Sequence, residues 1–240
     1  MEIFEITQPS TEKEIDELIN QAGSSILGKE LSPKKIAKIF QRRLRPRYGV
    51  TINAEIPISG LEPNNMNVNG YFDMSNWDKK NNIEIVIAYH KDNENGLLVG
   101  PEDWKPLSFR IKQTLMHELI HRAQYTQRDG FDPDIESDIV RVVRRYQNTP
   151  EDNQRAYLSD NDEVEAHAHD IALELRNSLS SAKEIKTVLR NFSKIPQSPQ
   201  KSPSLSLWVY GKYFKRNPSH PVVKTVLRKT YRYLQHYMEI

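Results

Sequence analysis

The stretch Thr114-Leu115-Met116-His117-Glu118-Leu119-Ile120-His121-Arg122-Ala123-Gln124-Tyr125 constrains this chain more than any other. It contains His-Glu-x-x-His. Residues four apart lie on one face of an α-helix, so His117 and His121 can aim both imidazoles at one metal ion. Glu118 follows about 100° further round the helix. From there its carboxylate can reach a water at the metal and accept its proton. Ile111, Leu115, Leu119 and Ala123 repeat at helical spacing and form an apolar stripe in a different sector from the histidines. Pro106-Leu107-Ser108 is a start signal, with Ser108 as N-cap, and Arg128-Asp129-Gly130 is a stop signal. The competing account is a solvated helix face that happens to carry two histidines and a glutamate. The helical context and a downstream acidic helix both count against it.

Composition narrows the chemistry. The chain has no cysteine, which excludes disulfides and thiolate metal sites, so a metal must use histidine and carboxylate. At 240 residues it is long enough for one sizeable domain, or for a domain with an appendage. With 28% charged and 37% hydrophobic residues it reads as globular, and a net charge of +2 argues against a general polyanion binder. No apolar run approaches the roughly 18 residues that would span a membrane. Met1-Glu2-Ile3-Phe4-Glu5 lacks the basic and apolar regions of a secretory signal, so a cytoplasmic protein with no membrane partner is expected.

The N-terminal part alternates helix and strand signals. Thr11 to Glu14 has capping-box spacing and predicts a helix over 11–21. Ser32-Pro33 opens a second helix, which carries Ile36, Ile39, Phe40 and Leu44 and ends at Arg45-Pro46. Its Lys34, Lys35, Lys38, Arg42 and Arg43 read as a solvated face. Strands are predicted at 50–56, 67–73 (interrupted by turn formers) and 83–90, the last β-branched at nearly every apolar position. His90, at its end, reads as a surface or hydrogen-bonded histidine. Further on, Asp132-Pro133-Asp134 opens an amphipathic helix carrying Ile135, Ile139, Val142, Val143 and Tyr146, and Thr149-Pro150-Glu151-Asp152 opens a short one.

The second informative stretch is helix 160–178. Ser159 or Asp160 can cap its start, and Val164, Ala168, Ile171, Leu175 and Leu179 form its core face. Glu163, His167, Asp170 and Glu174 fall within about 40° of one line at 100° per residue. Another helix runs through Ile185, Val188, Leu189 and Phe192, then a Pro/Ser linker covers 196–204. The tail, 205–240, is aromatic and basic. Residues 201–240 carry eight basic and one acidic residue, against four basic and thirteen acidic in 129–174. The expected organisation is a domain over 1–195, the linker, and an extension packing on the domain through this charge difference. A nucleic-acid surface on the tail is the less favoured account.

A catalytic zinc takes three protein ligands and keeps a fourth position for water. The His117–His121 pair therefore needs a partner from elsewhere, and helix 160–178 is its best source. With this helix in view the chain resembles the zincin metallopeptidases, in particular the Glu-ligand branch (gluzincins) of the thermolysin, HtpX and ImmA/IrrE types. In these, His-Glu-x-x-His is followed by a helix reading Glu-x-x-small-(Asp/Asn). Glu163-Val164-Glu165-Ala166-His167 is similar, with Glu163 as ligand, Ala166 as the small residue and His167 in place of Asp or Asn. His167 and then Glu165 stand behind Glu163 as third-ligand candidates.

The resemblance covers two helices, about 40 residues. It implies an α+β fold, with a small, mostly antiparallel sheet packed on the His-Glu-x-x-His helix and a helical C-terminal half. It also implies a Zn2+ cofactor, a protein or peptide substrate and Glu118 as general base. Asp170 or His167 would orient a ligand, and Tyr157, Tyr125, His169 or Arg155 would donate to the transition state. An exposed edge strand near 83–90 would take the substrate by strand addition. The alternatives are a zincin-fold binding or regulatory protein without turnover, and a nucleic-acid-associated protein. The Asn/Lys-rich style also resembles proteins of large tailed phages, which implies a host-cytoplasm location.

Overall fold

The structure is a computed structural model that describes residues 3–56, 66–130 and 149–235. The chain divides into two compact units, Met1–Gly130 and Phe131–Ile240. The first is α+β and the second is helical among its described residues. The helix expected to carry Ile135, Ile139, Val142, Val143 and Tyr146 lies outside the described residues.

The first unit begins with a single turn, α1 (Ile3–Ile6), and α2 (Pro9–Ile26). Helix α2 starts earlier than the capping-box reading placed it. Pro9 takes the first helical position, and Thr11 instead donates its hydroxyl to the Glu5 carbonyl at 2.7 Å. Helix α3 (Pro33–Tyr48) follows a two-residue strand, β1 (Glu30–Leu31). It runs through Pro46, where a stop was expected. Proline so near the end removes only one helical donor, and the true stop is Gly49, left-handed at φ 65°, whose N–H reaches the Arg45 carbonyl at 2.8 Å.

Three strands form the main sheet: β2 (Val50–Glu55), β3 (Met66–Phe72) and β4 (Ile83–Tyr89). Their order is β2-β4-β3. Strand β2 runs parallel to β4 with Val50 opposite Ile83, and β3 runs antiparallel with Phe72 opposite Ile83. Strand β4 is thus central. Its nearly continuous apolar run, with Ile83, Ile85, Ile87, Ala88 and Tyr89 buried, follows from that position. This corrects the expected edge strand at 83–90: the outer strands among the described residues are β2 and β3. At the end of β4 the His90 ring accepts from the Asp92 N–H, as a hydrogen-bonded histidine was expected to do. A second small sheet pairs β1 with β5 (Leu97–Leu98) antiparallel, so among the described residues two of the three strand pairings are antiparallel. Strands of two residues leave no periodicity for sequence reading to find.

Helix α4 (Pro101–Gln127) carries the His-Glu-x-x-His motif and packs on β3 and β4. Its start lies before the expected Ser108. Pro101 takes the first position, and the Gly100 N–H donates to the Asp103 carboxylate at 3.1 Å. Pro106 is absorbed in the second turn. The stop is as expected, with Asp129 and Gly130 both at positive φ and the Gly130 N–H reaching back to the Tyr125 carbonyl at 2.9 Å. Trp104 stacks on Phe40 at 5.7 Å and lies against Gly23, where a Cβ would sit 2.5 Å from the indole. That contact ties α2, α3 and α4 together.

The second unit holds α5 (Pro150–Ser159), α6 (Asn161–Ser178), α7 (Ala182–Arg190), α8 (Leu205–Tyr213) and α9 (Pro221–Gln235). Its core joins Val164, Ala168, Ile171 and Leu175 of α6 to Leu189, Phe192, Tyr210, Val226 and Leu234. The Pro-rich stretch after α7 contains a 3-10 turn, Pro199–Lys201, and is pinned to the unit. Trp208 donates to the Gln197 carbonyl at 2.9 Å, and Arg216 to that of Ile195 at 3.0 Å. No helix among the described residues is long and apolar enough to cross a membrane.

Candidate metal centre

On α4 the two histidines meet. Their Nε2 atoms are 3.1 Å apart, with ring centroids at 4.8 Å and planes at 71°. Two nitrogens bound tetrahedrally at ~2.0–2.1 Å to one zinc would lie about 3.3 Å apart, so the pair fits that donor geometry closely. His121 is further oriented through its other nitrogen, Nδ1, which lies 3.0 Å from the Oε1 of Gln124. An amide oxygen only accepts, so Nδ1 carries the proton and Nε2 keeps its lone pair, the tautomer a metal ligand needs. Gln124 is buried, and sequence reading passed over it. The available signal was its position, three residues after the second histidine on the same face.

Glu118 is buried, with its carboxylate against β3. At Gly70 a Cβ would stand 3.0 Å from Glu118 Oε1 and 2.5 Å from the Thr114 methyl. Gly70 is therefore no turn former. It lies within β3, opposite Ile85, and its missing side chain lets the sheet approach α4 at the glutamate. One turn on, half-buried Arg122 donates to the Tyr48 carbonyl at 2.6 Å and anchors the motif to the end of α3. Burial lowers the Arg122 pKa from its ordinary value.

In the second unit, Asp160 caps α6 by accepting from the Asp162 N–H at 2.9 Å. That places Glu163 in the first turn. The His167 ring lies between two carboxylates: Nε2 is 3.7 Å from Glu163 and Nδ1 is 3.7 Å from Asp170. Tyr157 and Tyr210 present ring edges to it, each at 5.9 Å. Tyr210 donates to the Leu158 carbonyl at 3.1 Å. Its hydroxyl is pushed far above the ordinary phenol value by burial and then by the charges of Glu163, Asp170 and Asp160, so it stays neutral.

The acidic stripe of α6 divides by role. Glu174 accepts from the hydroxyl of Ser204 at 2.6 Å and the N–H of Ser206 at 2.9 Å, and so serves the start of α8. Glu165 faces α9, bonded by Lys229, Arg232 and Tyr233. Burial alone would raise its pKa, but hydrogen bonds from Lys229 and Tyr233 and the charges of Lys229 and Arg232 outweigh burial and hold it below the ordinary value. Among the donor candidates, Tyr125 is buried edge-on to Phe72 at 5.4 Å, and His169 is buried against Tyr233 at 5.2 Å. Arg155 donates to the Tyr213 carbonyl at 3.0 Å and to Glu151 at 2.7 Å. Tyr157, 42% exposed beside His167, keeps a face to solvent.

Each unit thus gathers metal-ligating side chains at one place on one helix: His117 and His121 on α4, and Glu163, His167 and Asp170 on α6. No protein-family model, no curated protein and no solved structure matches this chain.

Proposed function

We propose that the chain is a zinc-dependent metallopeptidase of the zincin type, with His117 and His121 as two ligands and Glu163 as the third. The observation that carries the reading is the convergence of the two Nε2 atoms at 3.1 Å, on a helix that also holds the buried Glu118 carboxylate against a strand. Glu163 enters on its Glu-x-x-small register and on its place in the first turn of α6, next to His167. Glu165, the last of the three third-ligand candidates, is committed to α9.

A zinc ion bound there would supply a Lewis acid that polarises a peptide carbonyl and acidifies an attacking water. The chain's own residues do the rest. Glu118 accepts the proton of the water and delivers it to the leaving amine. Gln124 holds His121 in the tautomer that presents Nε2. Asp170 and Glu163 flank His167, one carboxylate near each ring nitrogen. Strand β3, outermost among the described residues and in contact with α4 at Glu118, is the edge on which an extended peptide would lie.

The test is zinc content measured beside peptide hydrolysis. The wild type is expected to hold one zinc per chain and to cleave a quenched peptide library. Glu118→Gln should keep the zinc and lose about 10²–10⁴-fold in rate, while Glu163→Ala should lose the zinc. A wild type that takes up no zinc after reconstitution would overturn the reading. Zinc bound without any turnover would leave a zincin-like binding protein in its place.

A further inference from the structure

The basic face of α3 reads in sequence as a solvated surface, yet the structure gives it an order that solvation does not require. Residues 31–54 contain seven basic side chains and no acidic one. All seven are exposed, while Ile36, Ala37, Phe40, Leu44 and Tyr48 face inward. At 100° per residue, Lys34, Lys38, Arg42 and Arg45 fall within roughly 80° of arc. They form one row, about 16 Å long at 1.5 Å per residue. Arg47 points elsewhere and pairs with Glu14 at 2.9 Å. Among the described residues no carboxylate pairs with Lys34, Lys38, Arg42, Arg45 or Lys80.

The row ends in a concavity of about 450 Å³ lined by Gln41, Arg42, Arg45, Pro46, Lys80 and Asn81. That volume lies in the range of ligand-binding clefts, and its lining contains no carboxylate. The mouth is built by close backbone packing. Gly49 at φ 65° lets the Lys80 carbonyl approach to where a Cβ would lie 1.7 Å away, which brings the segment before β4 against the end of α3. Gln41 is oriented by its Oε1, which accepts from the Ile52 N–H at 2.8 Å, so its amide hydrogens remain donors.

Helix electrostatics do not explain the row. Cations complement a helix dipole at the C-terminus, but Lys34 and Lys35 stand in the first turn, where they oppose it, and no acid accompanies them. At the other end two carbonyls are already used, that of Arg45 by the Gly49 N–H and that of Tyr48 by Arg122.

We propose that this row and its terminal cleft bind the phosphate backbone of a nucleic acid, independently of base sequence. The regular row suits a polymer of uniform charge, and the cleft suits one phosphate-bearing unit held by Arg42, Arg45 and Lys80. An anionic membrane surface fits less well. Among the described residues the exposed large apolar ones are Leu27, Ile56, Tyr71, Met74, Leu98, Tyr157 and Leu205, and none of them is on α3. Nor does the lining hold an aromatic ring on which bases could stack, so the contact is to phosphate. The overall charge of +2 conceals this local concentration.

The experiment is fluorescence anisotropy of the full chain with a labelled 20-nucleotide single strand, titrated between 50 and 200 mM salt. Arg42→Glu/Arg45→Glu/Lys80→Glu is compared with Lys29→Glu/Lys105→Glu/Lys183→Glu, an equal charge change at exposed positions elsewhere. The cleft variant should bind at least tenfold more weakly than the control variant. The salt slope should fall by about 2, as expected for three lost phosphate contacts on a single strand. Arg42→Gln/Arg45→Gln/Lys80→Gln should show the same slope change without charge reversal, and circular dichroism should match the wild type. The proposal is overturned if the wild type does not bind at 50 mM salt, if both glutamate variants weaken equally, or if polyglutamate or anionic vesicles compete as well as unlabelled oligonucleotide.

Discussion

Glu118 on α4 and Glu165 on α6 are equally buried, each 6% exposed, yet they stand in different surroundings. Glu165 is held by charge, since Lys229, Arg232 and Tyr233 of α9 all direct hydrogens at its two oxygens. Glu118 lies with its carboxylate against the bare backbone of Gly70, on the helix that carries two histidines whose Nε2 atoms face each other. A carboxylate that accepts from two cations and a phenol has little basicity left for chemistry. Neighbours, and not burial or residue type, separate a structural glutamate from a candidate catalytic one.

The largest effect should come from breaking the charge-held side. Glu165→Ala leaves Lys229, whose side chain is 22% exposed, and buried Tyr233 without their acceptor. Loss of one partner of a buried ion pair costs 3–5 kcal/mol, and the partial exposure of Lys229 and Arg232 places the expected loss near the low end, about 3 kcal/mol. Urea unfolding measures it, and a change below 1 kcal/mol would mean that the network is no firmer than a surface pair. The same group sets an acid limit. Folding holds the Glu165 carboxyl below its ordinary 4.5, so its stabilisation is complete above that value and is lost as pH falls through the lower folded value. Glu165→Gln should flatten the acid limb of the stability–pH curve and leave the neutral limb parallel to the wild type.

How far sequence reading reached follows the same division. Features set by local spacing were legible: the shared face of His117 and His121, the Asp160 cap, the apolar face of α6 and the stop at Gly130. Features set by what packs opposite were not. Gly70 read as a turn former because the approach of α4 is invisible in a strand's own residues. Glu174 read as part of a polar stripe, although its partners Ser204 and Ser206 lie 30 residues and more downstream. The start read at Pro106 and the stop read at Pro46 failed for a different reason. A proline within a turn or two of a helix end forfeits one hydrogen bond, which neighbouring packing outweighs.

Gly70→Ala tests the side on which a glycine backs the glutamate. The added methyl would meet Thr114 Cγ2 at 2.5 Å and Glu118 at 3.0 Å, so either β3 or the glutamate must shift. Overpacking of this kind costs about 1–3 kcal/mol. Because His117 and His121 are on α4 and not on β3, zinc uptake should survive while peptide hydrolysis falls. Differential scanning calorimetry and turnover, read together, decide the point. Unchanged turnover in a destabilised variant would show that Gly70 serves packing alone.

The finest contrast concerns how α4 orients its candidate ligand His121. Gln124 meets His121 Nδ1 at 3.0 Å with a neutral oxygen, where α6 places the Asp170 carboxylate 3.7 Å from the corresponding nitrogen of His167. A neutral acceptor fixes the tautomer without adding charge beside the pair. Gln124→Ala should therefore weaken zinc binding by about tenfold, the low end for loss of a group that orients a metal-bound histidine. Gln124→Glu should restore or strengthen it, because a carboxylate accepts the same N–H and raises the basicity of the ring. Competition against a chromophoric chelator gives both affinities. Equal affinities in the three proteins would mean that His121 is oriented by its rotamer and the packing of α4, and that the two helices differ less in design than their partners imply.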